Sequence, residues 1–187
     1  TLLAKGPAER AQKTVALLAA VEVGSFDAVG ILLAAGADPA GRDARGRGAP
    51  GIALQAGDAR ILALLLAAGV DAGSNGNSGA PLLVEATRAR DVGSVEVLLQ
   101  RGAAINAVDA NGESSLMISA AQEESGLLEL LLARRADVSL RDRSGRDALL
   151  HAALAGPAAS VQRLLAAGAG ARTVDAAGTT ALGAAAM

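Results

Sequence analysis

Leu32-Leu33-Ala34-Ala35-Gly36-Ala37-Asp38 and Leu65-Leu66-Ala67-Ala68-Gly69-Val70-Asp71 are one phrase written twice, 33 residues apart. The same step brings back Leu98-Leu99 with Gly102 and Leu164-Leu165 with Gly168. Leu131-Leu132 keeps the register, but Arg135 fills its Gly slot. A second marker shares the period: Asp43, Asp109, Asp142 and Asp175 open D-x-x-G turns closed by Gly46, Gly112, Gly145 and Gly178. Two independent markers on one period identify an array of repeats, each burying its apolar face on its neighbours, rather than a single-core globule.

Composition agrees. Of the 187 residues 51% are hydrophobic, mostly Ala, Leu and Val, and Phe26 is the single aromatic. The core is therefore packed from small aliphatic side chains at close helix spacing. Seventeen basic residues stand against 19 acidic ones, which leaves no global field to attract nucleic acid or an anionic membrane. No apolar run reaches the roughly 18–20 residues of a membrane span. With no Cys, disulfides, thiolate nucleophiles and zinc–thiolate sites are excluded. A Cys-free chain suits the cytoplasm and is also compatible with the periplasm, and the Ala/Arg/Gly-rich composition points to a bacterial source.

The chain opens Thr1-Leu2-Leu3-Ala4-Lys5-Gly6, the repeated phrase only 30 residues before its next copy. This predicts the end of a preceding helix and a shortened connection over residues 1–9. Complete repeats follow at 10–42, 43–75, 76–108, 109–141 and 142–174, and a partial one at 175–187, as one array. Neither an initiator Met nor a signal peptide is visible, so the chain is expected to be a fragment of a longer protein.

The fourth repeat shows how one unit folds. Asp109-Ala110-Asn111-Gly112 is a tight turn. Ser114 caps a predicted helix over 115–122 with Leu116, Ile118 and Ala120 on its apolar side. After a break at 123–125, a second helix over 127–134 carries Leu127, Leu128, Leu131 and Leu132 as one buried stripe.

This pattern resembles the ankyrin repeat, D-x-x-G-x-T-P-L-H-x-A-A-x-x-G followed by a helix ending L-L-x-x-G-A-D. Matches include Asp175, Gly178, Thr180 and Leu182 in the last repeat and Asp142, Gly145, Leu149, Ala152, Ala153 and Gly156 in the fifth. The resemblance implies an all-α repeat solenoid of helix-turn-helix units with β-hairpin-like fingers. Departures are informative. The family's His slot holds Leu18, Gly51, Val84, Met117, Leu150 and Gly183, while the only histidine, His151, sits one place later. The polar network that this His supplies in the family is expected to be missing, leaving stability to Ala/Leu packing. Pro50 and Pro81 are displaced by one residue in opposite directions, which predicts helices starting late and early respectively. The third finger lacks its Asp, reading Gly73-Ser74-Asn75-Gly76-Asn77-Ser78-Gly79, and is expected to be the most mobile. Arg90, Glu123 and Arg135 occupy slots of left-handed helix ends that favour Gly.

Catalytic constellations are lacking. His151 on Leu150-His151-Ala152 reads as a structural or solvated histidine. Glu123-Glu124 reads as an exposed pair rather than a cation site. Gly46-Arg47-Gly48 and Gly168-Ala169-Gly170 follow no hydrophobic strand and carry no G-K-[ST], so they are turn glycines. No enzyme activity, cofactor or metal is expected.

Binding is the expectation that remains. The resemblance implies a protein-binding concave face of fingers and first helices, where packing leaves positions free to vary. Those positions hold Arg42, Arg45 and Arg47 in one finger and Arg141, Arg143 and Arg146 in another, with Gln55, Asn77, Ser78, Arg88, Asn111, Glu113 and Gln122 between. Two Arg triplets around a polar saddle suit an acidic or extended protein partner. With no Trp or Tyr to anchor an interface, and Phe26 expected to pack at the start of a second helix, affinity is expected to be moderate and salt-sensitive. The module reads as a scaffold or targeting arm of a larger protein. The alternatives are an intramolecular regulatory or self-association role and, more distantly, polyanion binding by the Arg fingers, for which the net charge of −2 and missing aromatics are unfavourable.

Overall fold

The computed structural model describes residues 5–123, 126–155 and 157–185. Leu2-Leu3 of the opening phrase, Glu124 of the acidic pair, Ser125, Gly156 and the terminal Met187 lie outside the described residues.

The fold is an all-α repeat solenoid and divides into two compact units, Thr1–Ala103 and Ala104–Met187. The first unit holds α1 (Lys5–Glu22), α2 (Phe26–Ala34), α3 (Ala49–Ala56), α4 (Ala59–Ala67), α5 (Leu82–Arg88) and α6 (Val92–Gln100). Each first helix packs on its own second helix, α1 on α2, α3 on α4 and α5 on α6. First helices also stack on one another, α1 on α3 on α5, and second helices do likewise, α2 on α4 on α6. The second unit holds α7 (Ser115–Ala120), α8 (Gly126–Ala133), α9 (Ala148–Ala155), α10 (Ala158–Ala166) and α11 (Ala181–Ala185), with α7 on α8, α9 on α10, and α9 between α7 and α11. Among the described residues no helix is long and apolar enough to cross a membrane.

The recurring Leu-Leu-x-x-Gly phrase is a helix-ending motif. In each of five copies the N–H of the residue after the Gly slot bonds back to the first Leu carbonyl, and the N–H of the Gly slot itself to the second. Examples are Ala37 to Leu32 at 3.0 Å with Gly36 to Leu33 at 3.0 Å, and Ala103 to Leu98 with Gly102 to Leu99. This Schellman pairing satisfies carbonyls that a helix end leaves orphaned and requires a left-handed residue at the Gly slot. Gly36, Gly69, Gly102 and Gly168 have φ of 86°, 102°, 87° and 90°. Arg135 adopts φ 62° in the same slot, and Arg90 φ 57° at the end of α5, so both expected left-handed arginines are present. Glu123 is not among the described non-glycine residues with positive φ. Replacing Arg135 by Gly is expected to stabilise the chain by about 0.5–1 kcal/mol in urea denaturation, because the Cβ penalty disappears while the motif stays.

In four of the five pairs the first Leu carries the core, Leu32 being half-buried. Leu65, Leu98, Leu131 and Leu164 are fully buried. The second turns toward the edge in all pairs but one: Leu66 is buried, whereas Leu33, Leu99 and Leu132 are half-buried and Leu165 exposed, so the four-leucine stripe expected in α8 reduces to Leu127, Leu128 and Leu131. In α7 it is Met117, not Ile118, that faces inward with Leu116 and Ala120. These three lie at i, i+1 and i+4, whereas Ile118 falls about 200° round from Leu116. The helix itself ends at Ala120 rather than at 122.

Two expectations about helix starts fail. All described first helices after α1 begin on the same step, at Ala49, Leu82, Ser115, Ala148 and Ala181, despite Pro50 and Pro81. The finger ahead of each helix sets the start. Its base is pinched by isolated antiparallel bridges, Arg42 with Gly48 and Asn75 with Pro81 in the first unit, Val108 with Ser114 and Val174 with Thr180 in the second. Proline is tolerated at either position because the first-turn N–H groups have no partner within the helix. Lys5 and Gly6, read as a helix end and connection, lie inside α1. Pro7 is tolerated in its first turn, and Ala8 to Lys13 are mostly strong helix formers, with Glu9 paired to Lys13 at 2.9 Å.

Candidate functional site

Each finger is a five-residue loop closed by its first N–H on its fifth carbonyl. Asp43 bonds Arg47 at 2.9 Å, Gly76 bonds Ala80 at 2.9 Å, Asp109 bonds Glu113 at 3.1 Å, Asp142 bonds Arg146 at 2.9 Å and Asp175 bonds Thr179 at 3.0 Å. The Asp side chain then locks the loop from inside. Asp43 Oδ1 accepts from the N–H groups of Arg45 and Arg47, Asp109 Oδ1 from Asn111 and Glu113, Asp142 Oδ1 from Ser144 and Arg146, and Asp175 Oδ1 from Ala177 and Thr179.

The third finger, expected to be the loosest, solves its missing Asp another way. Glu85 on α5 sends its carboxylate back into the space over Gly76, where Oε2 accepts from Asn77 N at 3.2 Å and Oε1 from Ser78 N at 2.6 Å and from the Ser78 hydroxyl. A Cβ on Gly76 would stand 2.0 Å from Glu85 Oε2, so glycine at that slot and glutamate on the helix are one device. Asn77 is engaged as well. Its Oδ1 accepts from Gly48 N at 2.8 Å, and its amide lies where a Cβ on Gly51 would be.

The backbone N–H of Arg47 holds the Asp43 carboxyl below the ordinary value of 3.8, and that of Thr179 does the same for Asp175. The Ser139 hydroxyl lowers Asp137. Groups with lowered values bind protons less readily in the folded chain than in the unfolded one. Their contribution is therefore complete above the unfolded value of about 4 and is lost as pH falls through the lowered values. Thermal melts are expected to show the melting temperature dropping below about pH 4. A melting temperature unchanged down to about pH 2 contradicts the locking role of these carboxylates.

The arginine triplets divide sharply. Arg42 donates to Gly46 O at 2.7 Å and to Asn75 O at 3.1 Å, joining two fingers. Arg47 lies between Asp43 Oδ2 at 2.8 Å and Glu22 of α1 at 3.1 Å. Arg146 Nε reaches the buried Asp175 carboxylate at 3.3 Å. These three guanidinium groups are engaged within the chain. Arg45, Arg141 and Arg143 are exposed, and their guanidinium groups have no hydrogen-bond or ion-pair partner among the described residues. Gln55 on α3 and Arg88 on α5 are exposed, as is Asn111, whose backbone carbonyl accepts from Arg143 N at 2.9 Å. Ser78 is exposed but spent on Glu85, and Glu113 and Gln122 are half-buried.

Polar ties are nevertheless present where the His-based network is expected to be missing. Besides Asn77, Asn106 Oδ1 accepts from Asp137 N at 2.9 Å, Thr14 Oγ1 from Asp38 N at 3.1 Å, and Ser144 O from Ala176 N at 2.9 Å. His151 has a partner after all: its Nε2 lies 3.0 Å from Asp142 Oδ2. Its side chain is only 14% exposed, so it is structural rather than solvated. Phe26 does start α2, but it remains 40% exposed with the Arg60 guanidinium 5.8 Å above its ring.

A family model described as ankyrin repeats (3 copies) matches residues 17–109 and 50–142. The crystal structure of the ankyrin repeat domain of Bcl-3, a unique member of the IkappaB protein family, superposes with a TM-score of 0.82 at 29% identity, covering 90% of this chain and 76% of that one. No curated protein sequence matches the chain.

Proposed function

The chain belongs to the ankyrin repeat family, whose members are protein–protein interaction modules, and on that premise we propose that it is a non-catalytic scaffold or targeting arm that grips an acidic protein segment. The repeats at 10–42, 43–75, 76–108, 109–141 and 142–174 supply fingers and first helices within each unit. The observation that carries the reading is the division of the finger arginines. Where a guanidinium is needed to hold fingers together it is paired, and Arg45, Arg141 and Arg143 are left exposed without a partner among the described residues. A guanidinium so placed takes a carboxylate bidentately and stacks on an aromatic ring. Gln55 and Arg88 add polar groups on the first-helix side, and Asn111 adds one on its finger.

Because the contacts are charged and no Trp or Tyr anchors them, binding is expected to weaken steeply with ionic strength. Immobilised chain exposed to lysate at about 50 mM salt is expected to retain a protein that elutes by about 500 mM, since the Debye length falls severalfold over that range. Retention indifferent to salt contradicts a charge-based surface.

A further inference from the structure

Glu113 closes the fourth finger, Asp142 opens the fifth, and His151 stands on the second turn of α9, all in the second unit. The ligand-capable atoms of these three side chains lie within 4.8 Å of one another. Asp142 is held rigidly: Oδ1 accepts from Ser144 N at 2.8 Å and Arg146 N at 2.9 Å, so Oδ2 is left facing His151 Nε2 at 3.0 Å. The Nε of Arg146 is directed at Asp175 rather than at this group.

We infer that Glu113, Asp142 and His151 form a binding site for a divalent transition-metal ion of the zinc class. Donors bonded to one such ion at about 2.0–2.2 Å stand roughly 3–3.5 Å apart, so Asp142 Oδ2 and His151 Nε2 already have ligand spacing. Glu113 offers the third donor, its carboxylate oxygen lying within 4.8 Å of the other two ligand atoms. One imidazole and two carboxylates balance a divalent charge. The imidazole selects zinc, cobalt or nickel over magnesium and calcium, which take oxygen donors. The half-buried setting leaves a fourth position for water or for a carboxylate of another molecule. Metal binding would tie the fourth finger to the fifth and to α9 through one atom.

With one His and no Cys in the chain, His151 is the only imidazole or thiol ligand available, which makes the test unambiguous. Chain free of any histidine tag is titrated with zinc chloride by calorimetry, and the lone imidazole resonance is followed by NMR. The expected result is one zinc per chain with a dissociation constant of about 1–100 μM and a shift of that resonance. Magnesium is expected to give neither. His151→Ala and Glu113→Gln are each expected to weaken binding at least about tenfold, and the second variant preserves both volume and hydrogen-bonding capacity. Absence of saturable uptake below about 1 mM overturns the site, as does an unmoved imidazole resonance or unchanged affinity in His151→Ala.

Discussion

Leu131→Ala is expected to lower the unfolding free energy by about 3 kcal/mol, within the range of about 2–5 kcal/mol for emptying a buried leucine site. Leu131 is fully buried on α8, which packs on α7, and its carbonyl accepts the Ala136 N–H that ends the helix. A chain with one aromatic builds its interior from leucines and alanines, and Ala cannot fill the space of a lost isobutyl group. Leu165 provides the control. It sits beside the buried Leu164 yet is 45% exposed, and Leu165→Ala is expected to cost about 1 kcal/mol or less. Urea denaturation followed by circular dichroism separates the two. Equal losses contradict the division of the leucine pair into a core member and an edge member.

Gly112→Ala carries the second large expected loss, about 2–3 kcal/mol. Gly112 closes the fourth finger with φ 80°, and a Cβ there would stand 3.1 Å from Arg143 N and 3.2 Å from Asp142 Cα. The neighbour is backbone of the next finger, itself bonded to Asn111 O through Arg143 N, so it cannot swing aside as a side chain would. Gly178 occupies the same finger slot at φ 82° with open space around its Cβ position. Gly178→Ala is expected to cost only the conformational penalty, about 1 kcal/mol. The excess at Gly112 measures how closely the fingers of this unit approach one another, and equal losses at the two sites contradict that close approach.

What could be read from the sequence was whatever depends on local backbone chemistry. The Leu-Leu-x-x-Gly phrase reports a Schellman helix end, whose hydrogen bonds span only six residues, and D-x-x-G reports a finger locked by its own Asp. Both recur wherever the residues do, and the family assignment followed from them. Helix starts were misread at Pro50 and Pro81 because proline preference is weaker than the bridge that closes the finger ahead of each helix. The lock of the third finger is not legible locally because it comes from Glu85, reaching back from α5. A signal existed: Glu85 and His151 occupy the same place in their repeats, where Ile52 and Ile118 stand in two others, and both polar side chains turn toward their fingers. The arginine triplets looked uniform in sequence. The fold separates Arg42, Arg47 and Arg146, each with a partner in another element or finger, from Arg45, Arg141 and Arg143.

That separation is open to one direct measurement. Arg45→Glu in the first unit and Arg141→Glu with Arg143→Glu in the second are compared with unaltered chain, in melting temperature and in the proteins captured from lysate. Exposed side chains without partners contribute little to stability, so the melting temperature is expected to move by no more than about 2 °C. The protein retained by the unaltered chain is expected to be lost, because each reversal sets a carboxylate against an acidic partner. Retention of the same protein by all the variants contradicts the assignment of the fingertip arginines as the binding surface.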